Sequence, residues 1–210
     1  NNIDHCTRLC HASSVAALLE GIGSGAVTNV FGDVGNAEVA LITGANATAN
    51  HPVAATFMKQ AAREGRTKII VVEPRRIDMA DHAEMFVQIR SGTDVAFYNA
   101  VMHVLVEEDL VDHEFIRTRT KDFESLKTLV ERYDPDMAAE ICGVSAEDIR
   151  QVARLFGEAE TAMVFWGMGI AQSVHGTDNA RCLIALMMMT GNIGKPGTGL
   201  HPLRGQNNVQ

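Results

Sequence analysis

The sequence predicts an α/β fold: three layers, helix–sheet–helix, around an open and mainly parallel sheet. Three observations lead there. Short apolar runs alternate with helix-length stretches, the runs are apolar throughout as strands buried on both faces must be, and each ends in small or polar residues. The chain has 210 residues, 46% hydrophobic and 21% charged, which suits one generous domain and excludes disordered, collagen-like and coiled-coil composition.

The elements follow in order. Ser13–Glu20 reads as helical, and Val39–Thr43 is the first buried strand, closing in Gly44-Ala45-Asn46. A helix from Pro52 to about Glu64 follows, with Pro in its first turn and Gly65 stopping it. Lys68–Glu73 is a second strand cut by Pro74, which completes a βαβ unit. Glu84–Ile89 is a third strand, Ser91-Gly92-Thr93-Asp94 a turn and N-cap, and Val95–Glu108 a helix. Helices are expected at His113–Arg119 and Phe123–Tyr133, with Asp134-Pro135 as a break. Ser145-Ala146-Glu147-Asp148 has the form of a capping box opening a helix to about Glu158. Thr161–Trp166 is the next strand, followed by Gly167-Met168-Gly169 and a helix near Asp178–Thr190. In such sheets ligands sit beyond the carboxyl ends of the strands. Four loops are therefore expected to face one crevice: 44–46, 73–76, 92–94 and 167–169.

Eighteen Lys+Arg against 26 Asp+Glu give a net charge of −8, which argues against nucleic-acid and anionic-membrane partners. No apolar run approaches the length of a membrane span. Four cysteines at uneven spacing are too few for a disulfide scaffold; they suit a reducing compartment, cytoplasm rather than periplasm, or one specific thiol. A start without Met and a polar, glycine-containing end at residues 204–210 suggest a domain excised from a longer chain.

The glycine motifs are incomplete. Gly167-Met168-Gly169 follows a strand, but the third glycine of a dinucleotide fingerprint is replaced by Gln172; Gly21–Ala26 fits better yet follows a helix; 191–196 lacks the pattern of a phosphate-binding loop. Each alone reads as a turn. Their convergence with Glu73, placed to accept hydrogen bonds from a ribose or guanine edge, and with Arg75 and Arg76, suited to a pyrophosphate, points to a nucleotide-like ligand.

The segment Asp4-His5-Cys6-Thr7-Arg8-Leu9-Cys10-His11 packs two cysteines and two histidines into seven residues. A closed zinc site needs a second ligand pair, and Cys142 and Cys182 lack close Cys or His neighbours. One thiolate ligand to a high-valent metal with a neighbouring imidazole fits better than zinc, while on these residues alone two half-buried cysteines in a turn is the favoured reading.

Residues 1–11 resemble the active-site segment of molybdenum- or tungsten-dependent formate dehydrogenases. Arg204-Gly205-Gln206-Asn207-Asn208-Val209-Gln210 resembles that family's second signature. Between them Gly44–Asn46 before His51-Pro52, Val71–Arg76, Ile89–Asp94, Trp166–Gly169 with Gln172, and Thr190–Gly197 occur in family order, so the resemblance spans essentially the whole chain. It implies a Rossmann-like dinucleotide-binding domain (1–210) from a larger catalytic subunit that oxidises formate to CO2. The implied cofactor is molybdenum or tungsten held by two molybdopterin guanine dinucleotides (bis-MGD), with 4Fe-4S clusters only in segments beyond this chain. The implied partners are formate, other domains of the same subunit and electron-transfer subunits, with no nucleic acid or membrane contact.

By that resemblance Cys10 ligates the metal, His11 orients substrate or accepts a proton, and Arg204 faces the metal. Gly44, Asn46, Glu73, Arg75, Gly92 and Asp94 would hold the nucleotide end, and Met168, Gln172 and Gln206 the pterin end. Residue 73 is Glu where many relatives carry Asp. A nitrate reductase of the same group, or, for these 210 residues alone, a cofactor-binding module without turnover, are the alternatives. Met187–Met189, His82, His103, His113 and His175 read as ordinary core or surface residues, and 107–109 as a solvated helix end.

Overall fold

The computed structural model describes residues 2–205. Among them five strands form one all-parallel sheet: β1 (Val39–Thr43), β2 (Lys68–Val72), β3 (Met85–Val87), β4 (Ala162–Trp166) and β5 (Gly199–Pro202), in the order β3-β2-β1-β4-β5. Eleven α-helices accompany the sheet: α1 (Thr7–Cys10), α2 (Ala12–Ile22), α3 (Ala47–Asn50), α4 (Pro52–Arg63), α5 (Asp94–Glu107), α6 (His113–Arg119), α7 (Phe123–Val130), α8 (Pro135–Cys142), α9 (Ala146–Gly157), α10 (Met168–Ala171) and α11 (Gly176–Met189). Two 3-10 turns, Phe31–Asn36 and Asp78–His82, complete them.

Successive strand side chains point to opposite faces, and both faces are covered. Val39 and Leu41 of β1 with Ala162, Val164 and Trp166 of β4 face a core shared with α2, α5, α9 and α11. Ala40, Ile42, Met163 and Phe165 face a smaller core closed by α4 and the 3-10 turns. This is the three-layer fold that the apolar runs predict.

The sheet reverses direction at the β1–β4 pair: the chain runs outward from β1 to β2 and β3, then crosses back to β4 and β5. The helices that follow β1 and β4 pass to opposite faces of the sheet there, which leaves a crevice at its carboxyl end.

Several boundaries differ from expectation. Asp134-Pro135 starts a helix rather than breaking one: the Asp134 side chain accepts from the Asp136 and Met137 N–H groups, and Pro135 fills the first turn, where no donor is needed. The third strand shortens to three residues. β5, containing Gly and Pro, carries no strand signal of its own; pairing with β4 imposes it. The capping box at Ser145 and Asp148 is present as expected.

Candidate functional site

The crevice at the reversal point is a cleft of about 670 Å³, within the range of cofactor sites. Gly44, Ala45 and Asn46 line it from β1, Glu73 and Arg75 from β2, and Gly167, Met168 and Gly169 from β4; Cys10, His51, Leu203 and Gly205 add to the wall, and Arg204 is not part of the lining. Three of the four expected loops thus converge.

The β1 and β4 loops touch through their backbones. Gly169 N–H donates to the Gly44 carbonyl at 3.0 Å. A Cβ at 167 would lie 2.7 Å from the Gly44 oxygen, and one at 169 would lie 2.7 Å from the Gly44 Cα. Only glycine permits that approach, so the glycines shape the cleft floor without the complete dinucleotide fingerprint.

Glu73 is buried, and its Oε1 accepts the Ala45 N–H at 2.5 Å, tying the β2 end to the β1 loop. Burial pushes its carboxyl above the usual range; the Ala45 bond opposes this, nearby Asp94 reinforces it, and Arg75 opposes it. Arg75 is exposed on the cleft wall. Arg76 turns away, paired with Asp81 at 2.7 Å and lying over the Phe86 ring; the expectation of both arginines at a pyrophosphate narrows to Arg75.

Gly92 and Asp94 do not line the cleft. Their loop follows β3, two strands from the reversal point, or about 10 Å along the sheet. Asp94 acts from beneath, buried in the first turn of α5 with its own carboxyl pushed up by burial. Gln172 is exposed outside the lining, at the C-cap of α10. Gln206 lies outside the described residues.

Cys10 lines this wall, and Arg204, 194 positions on, is buried behind it, close enough for its charge to act on the thiol. The Cys10 thiol is pushed up by burial and by neighbouring Cys6, while the Gly205 N–H and the Arg204 charge pull it down. Arg204 is 5% exposed. Its Nη2 donates to the Gly25 carbonyl, its Nε has no hydrogen-bond partner, and among the described residues it makes no ion pair. Among the described residues this buried guanidinium therefore has no carboxylate partner and keeps unused hydrogen-bonding capacity.

His11 does not face the cleft. Its ring is 1% exposed, with Nδ1 3.2 Å from Ser14 Oγ and Nε2 3.2 Å from the Leu203 carbonyl. The protons are dictated by the partners. The carbonyl can only accept, so Nε2 carries the proton. Trp166 Nε1 can only donate, to Ser14 Oγ at 2.8 Å, so the Ser14 hydroxyl donates onward to Nδ1. Burial and Arg204 pull the His11 pKa down, favouring this neutral ring. His51 Nε2 lies 2.8 Å from the Arg204 carbonyl. Two histidines therefore clamp successive carbonyls of the strand exit that carries Arg204.

His51, Ser14 and Trp166 had no individual signal in the sequence. Ser14 three positions after His11 on a helix was the only available hint.

A family profile described as "Molybdopterin oxidoreductase" matches residues 1–209. The chain is 47% identical over 210 residues to the F420-dependent formate dehydrogenase 1 subunit alpha of Methanococcus maripaludis, covering 100% of this chain and 31% of that protein. It is 42% identical over 210 residues to formate dehydrogenase H of Escherichia coli, covering 100% of this chain and 29% of that one. Among solved structures, acetylene hydratase from Pelobacter acetylenicus superposes with a TM-score of 0.79 at 27% identity, covering 90% of this chain and 25% of that chain. The chain therefore spans about three-tenths of the length of the curated relatives it matches.

Proposed function

The chain belongs to the molybdopterin oxidoreductase family, and from that premise we propose that residues 1–210 form one molybdopterin-guanine-dinucleotide-binding domain in the catalytic subunit of a formate dehydrogenase. The observation that carries the substrate is Arg204, a buried guanidinium with an unpartnered Nε beside the Cys10 thiol. The pull of burial on Arg204 against its charge is relieved when a carboxylate arrives.

The residues present fit the cofactor. A glycine-floored cleft of about 670 Å³ has room for a nucleotide, Arg75 offers a cation on its wall, and Asn46 and Glu73 offer polar groups. Gly44 shapes that floor and Met168 covers the pterin side; Asp94 contributes only from behind the lining, and Gly92 and Gln172 lie exposed outside it. When bound, the molybdenum or tungsten supplies the two-electron acceptor for the hydride equivalent of formate.

The chain's own residues do the rest. Cys10, as thiolate, is the metal ligand. Arg204 holds the formate carboxylate by its planar fork, orienting the C–H bond. His11 serves through position: its Nε2–H holds the Leu203 carbonyl and so sets where Arg204 leaves the strand.

Arg204→Lys in the intact subunit tests this. Lysine keeps the charge and loses the fork, so kcat/KM for formate falls about 10²- to 10³-fold while cofactor content, measured as bound metal and pterin, stays at the wild-type level. Near-normal formate oxidation by that variant removes Arg204 from substrate binding.

A further inference from the structure

The four cysteines fall into two pairs of different character. Cys142 and Cys182 are buried in the core, the Cys182 thiol pushed up to about 12 by burial, and are chemically inert. Cys6 and Cys10 are half-exposed and one helical turn apart, with the Cys10 N–H bonded to the Cys6 carbonyl at 2.9 Å and the two thiols in hydrogen-bond contact.

We propose that Cys6 is the resolving partner of Cys10: while the cleft lacks its cofactor, a peroxide converts the pair into an intramolecular disulfide that spares Cys10 from irreversible oxidation. The consequence rests on Cys10 being the thiol that the cofactor claims. In the first step the Cys10 thiolate attacks the peroxide O–O bond, forming S–OH and releasing hydroxide. The Cys6 thiolate then attacks that sulfur, the S–S bond forms and a second hydroxide leaves. The two thiol protons neutralise both hydroxides. Two thiols and one hydrogen peroxide give one disulfide and two waters; the sulfurs lose the two electrons that the peroxide gains.

The local fold allows this at small cost. Side chains four apart on a helix stack with Cβ atoms about 5–6 Å apart, against about 3.8 Å in a disulfide, so the turn must open. α1 is a single turn without a side-chain cap, held by the Cys10 and Leu9 bonds to the Cys6 carbonyl, the Arg8 bond to His5 and the His11 bond to Thr7. The exposed Arg8–Asp4 pair adds little.

The sequence supplies its own assay, because Arg8 lies between the two thiols. The intact subunit, produced without molybdenum or tungsten, is treated with hydrogen peroxide, alkylated and cut with trypsin. The peptide ending at Arg8 and the peptide beginning at Leu9 are expected to travel together at their summed mass less two hydrogens, and to separate after dithiothreitol. In Cys6→Ser the linked species disappears and Cys10 gains two or three oxygens instead. Peptides that stay unlinked in the unloaded wild-type subunit overturn the proposal, as does linkage of either thiol to another cysteine, or Cys6→Ser oxidising no further than wild type. The metal-loaded subunit separates the two readings: it is expected to stay unlinked, and linkage there as well sinks Cys10 as metal ligand while leaving the dithiol intact.

Discussion

Arg154 and Arg204 stand in opposite circumstances, and so do the regions that hold them. Arg154, on α9, grips Glu108 through Nε at 2.9 Å and Nη2 at 2.7 Å, with Glu147 at 3.5 Å. Around it α9 opens with a complete capping box and buries Ile149, Val152, Ala153 and Phe156. Around the sheet's carboxyl end, among the described residues, Arg204 is buried without an acid, both His201 nitrogens lack hydrogen-bond partners, and Glu73 is a carboxyl that burial resists ionising. One region is satisfied by acids that the packing of α5 and α9 brings together; the other keeps polar capacity in reserve. Fully satisfied polar groups hold a fold together, whereas unsatisfied ones persist where a ligand completes them.

The contrast sharpens under mutation. Arg204→Lys should show the largest effect and should act on turnover. His201 follows, acting on stability. Its ring lies 5.0 Å from that of Phe165, and burial pulls its pKa from 6.5 to about 4. The unfolded chain therefore takes the proton first as pH falls. The stability that neutral His201 contributes is complete above about pH 6.5 and is lost as pH falls toward about 4, some 3 kcal/mol in all. Chemical denaturation across that window should show a steeper loss for the wild-type subunit than for His201→Leu, which keeps only the part due to His11; parallel curves refute the assignment.

Ser14→Ala comes next. It leaves the Trp166 indole N–H buried without an acceptor and frees His11 Nδ1, costing about 2 kcal/mol in urea unfolding. Formate turnover should fall too, because the Leu203–Arg204 exit loosens, and Ser14→Thr, which keeps the hydroxyl, should restore much of it. A variant that loses stability but keeps its kinetics would place Ser14 in the structural region instead. The smallest effect belongs to Ser145→Ala at the α9 capping box, about 1 kcal/mol by thermal or urea unfolding. Its formate kinetics should match wild type; a changed KM would mean that the two regions are coupled.

How much of this was legible in the sequence varies element by element. β1, β2 and β4 were legible because strands buried on both faces are apolar without interruption, and α9 because its cap is written in adjacent residues. β5 was not, since Gly199 and Pro202 are poor strand formers and only the β4 register recruits them. α8 was missed because proline ends a helix in one context and starts one in another, and the Asp134 cap decides which. Gly92 and Asp94 were placed at the cleft because a strand end marks a rim; how far that rim lies from the reversal point depends on strand order.

By itself the sequence determined the alternation of strands and helices, the small and polar residues at the strand ends, and the chemical types at positions 10, 11 and 204. These are local properties, set by side-chain periodicity and turn chemistry over a few residues. Only the tertiary structure decided that Arg204 lies close enough for its charge to act on Cys10, that the Arg204 guanidinium is buried with no acid beside it among the described residues, and that the His11 ring turns inward to a carbonyl 192 positions away. Those facts depend on the crossover that sets β4 and β5 beside β1, and no local pattern encodes which distant segment a crossover brings into contact.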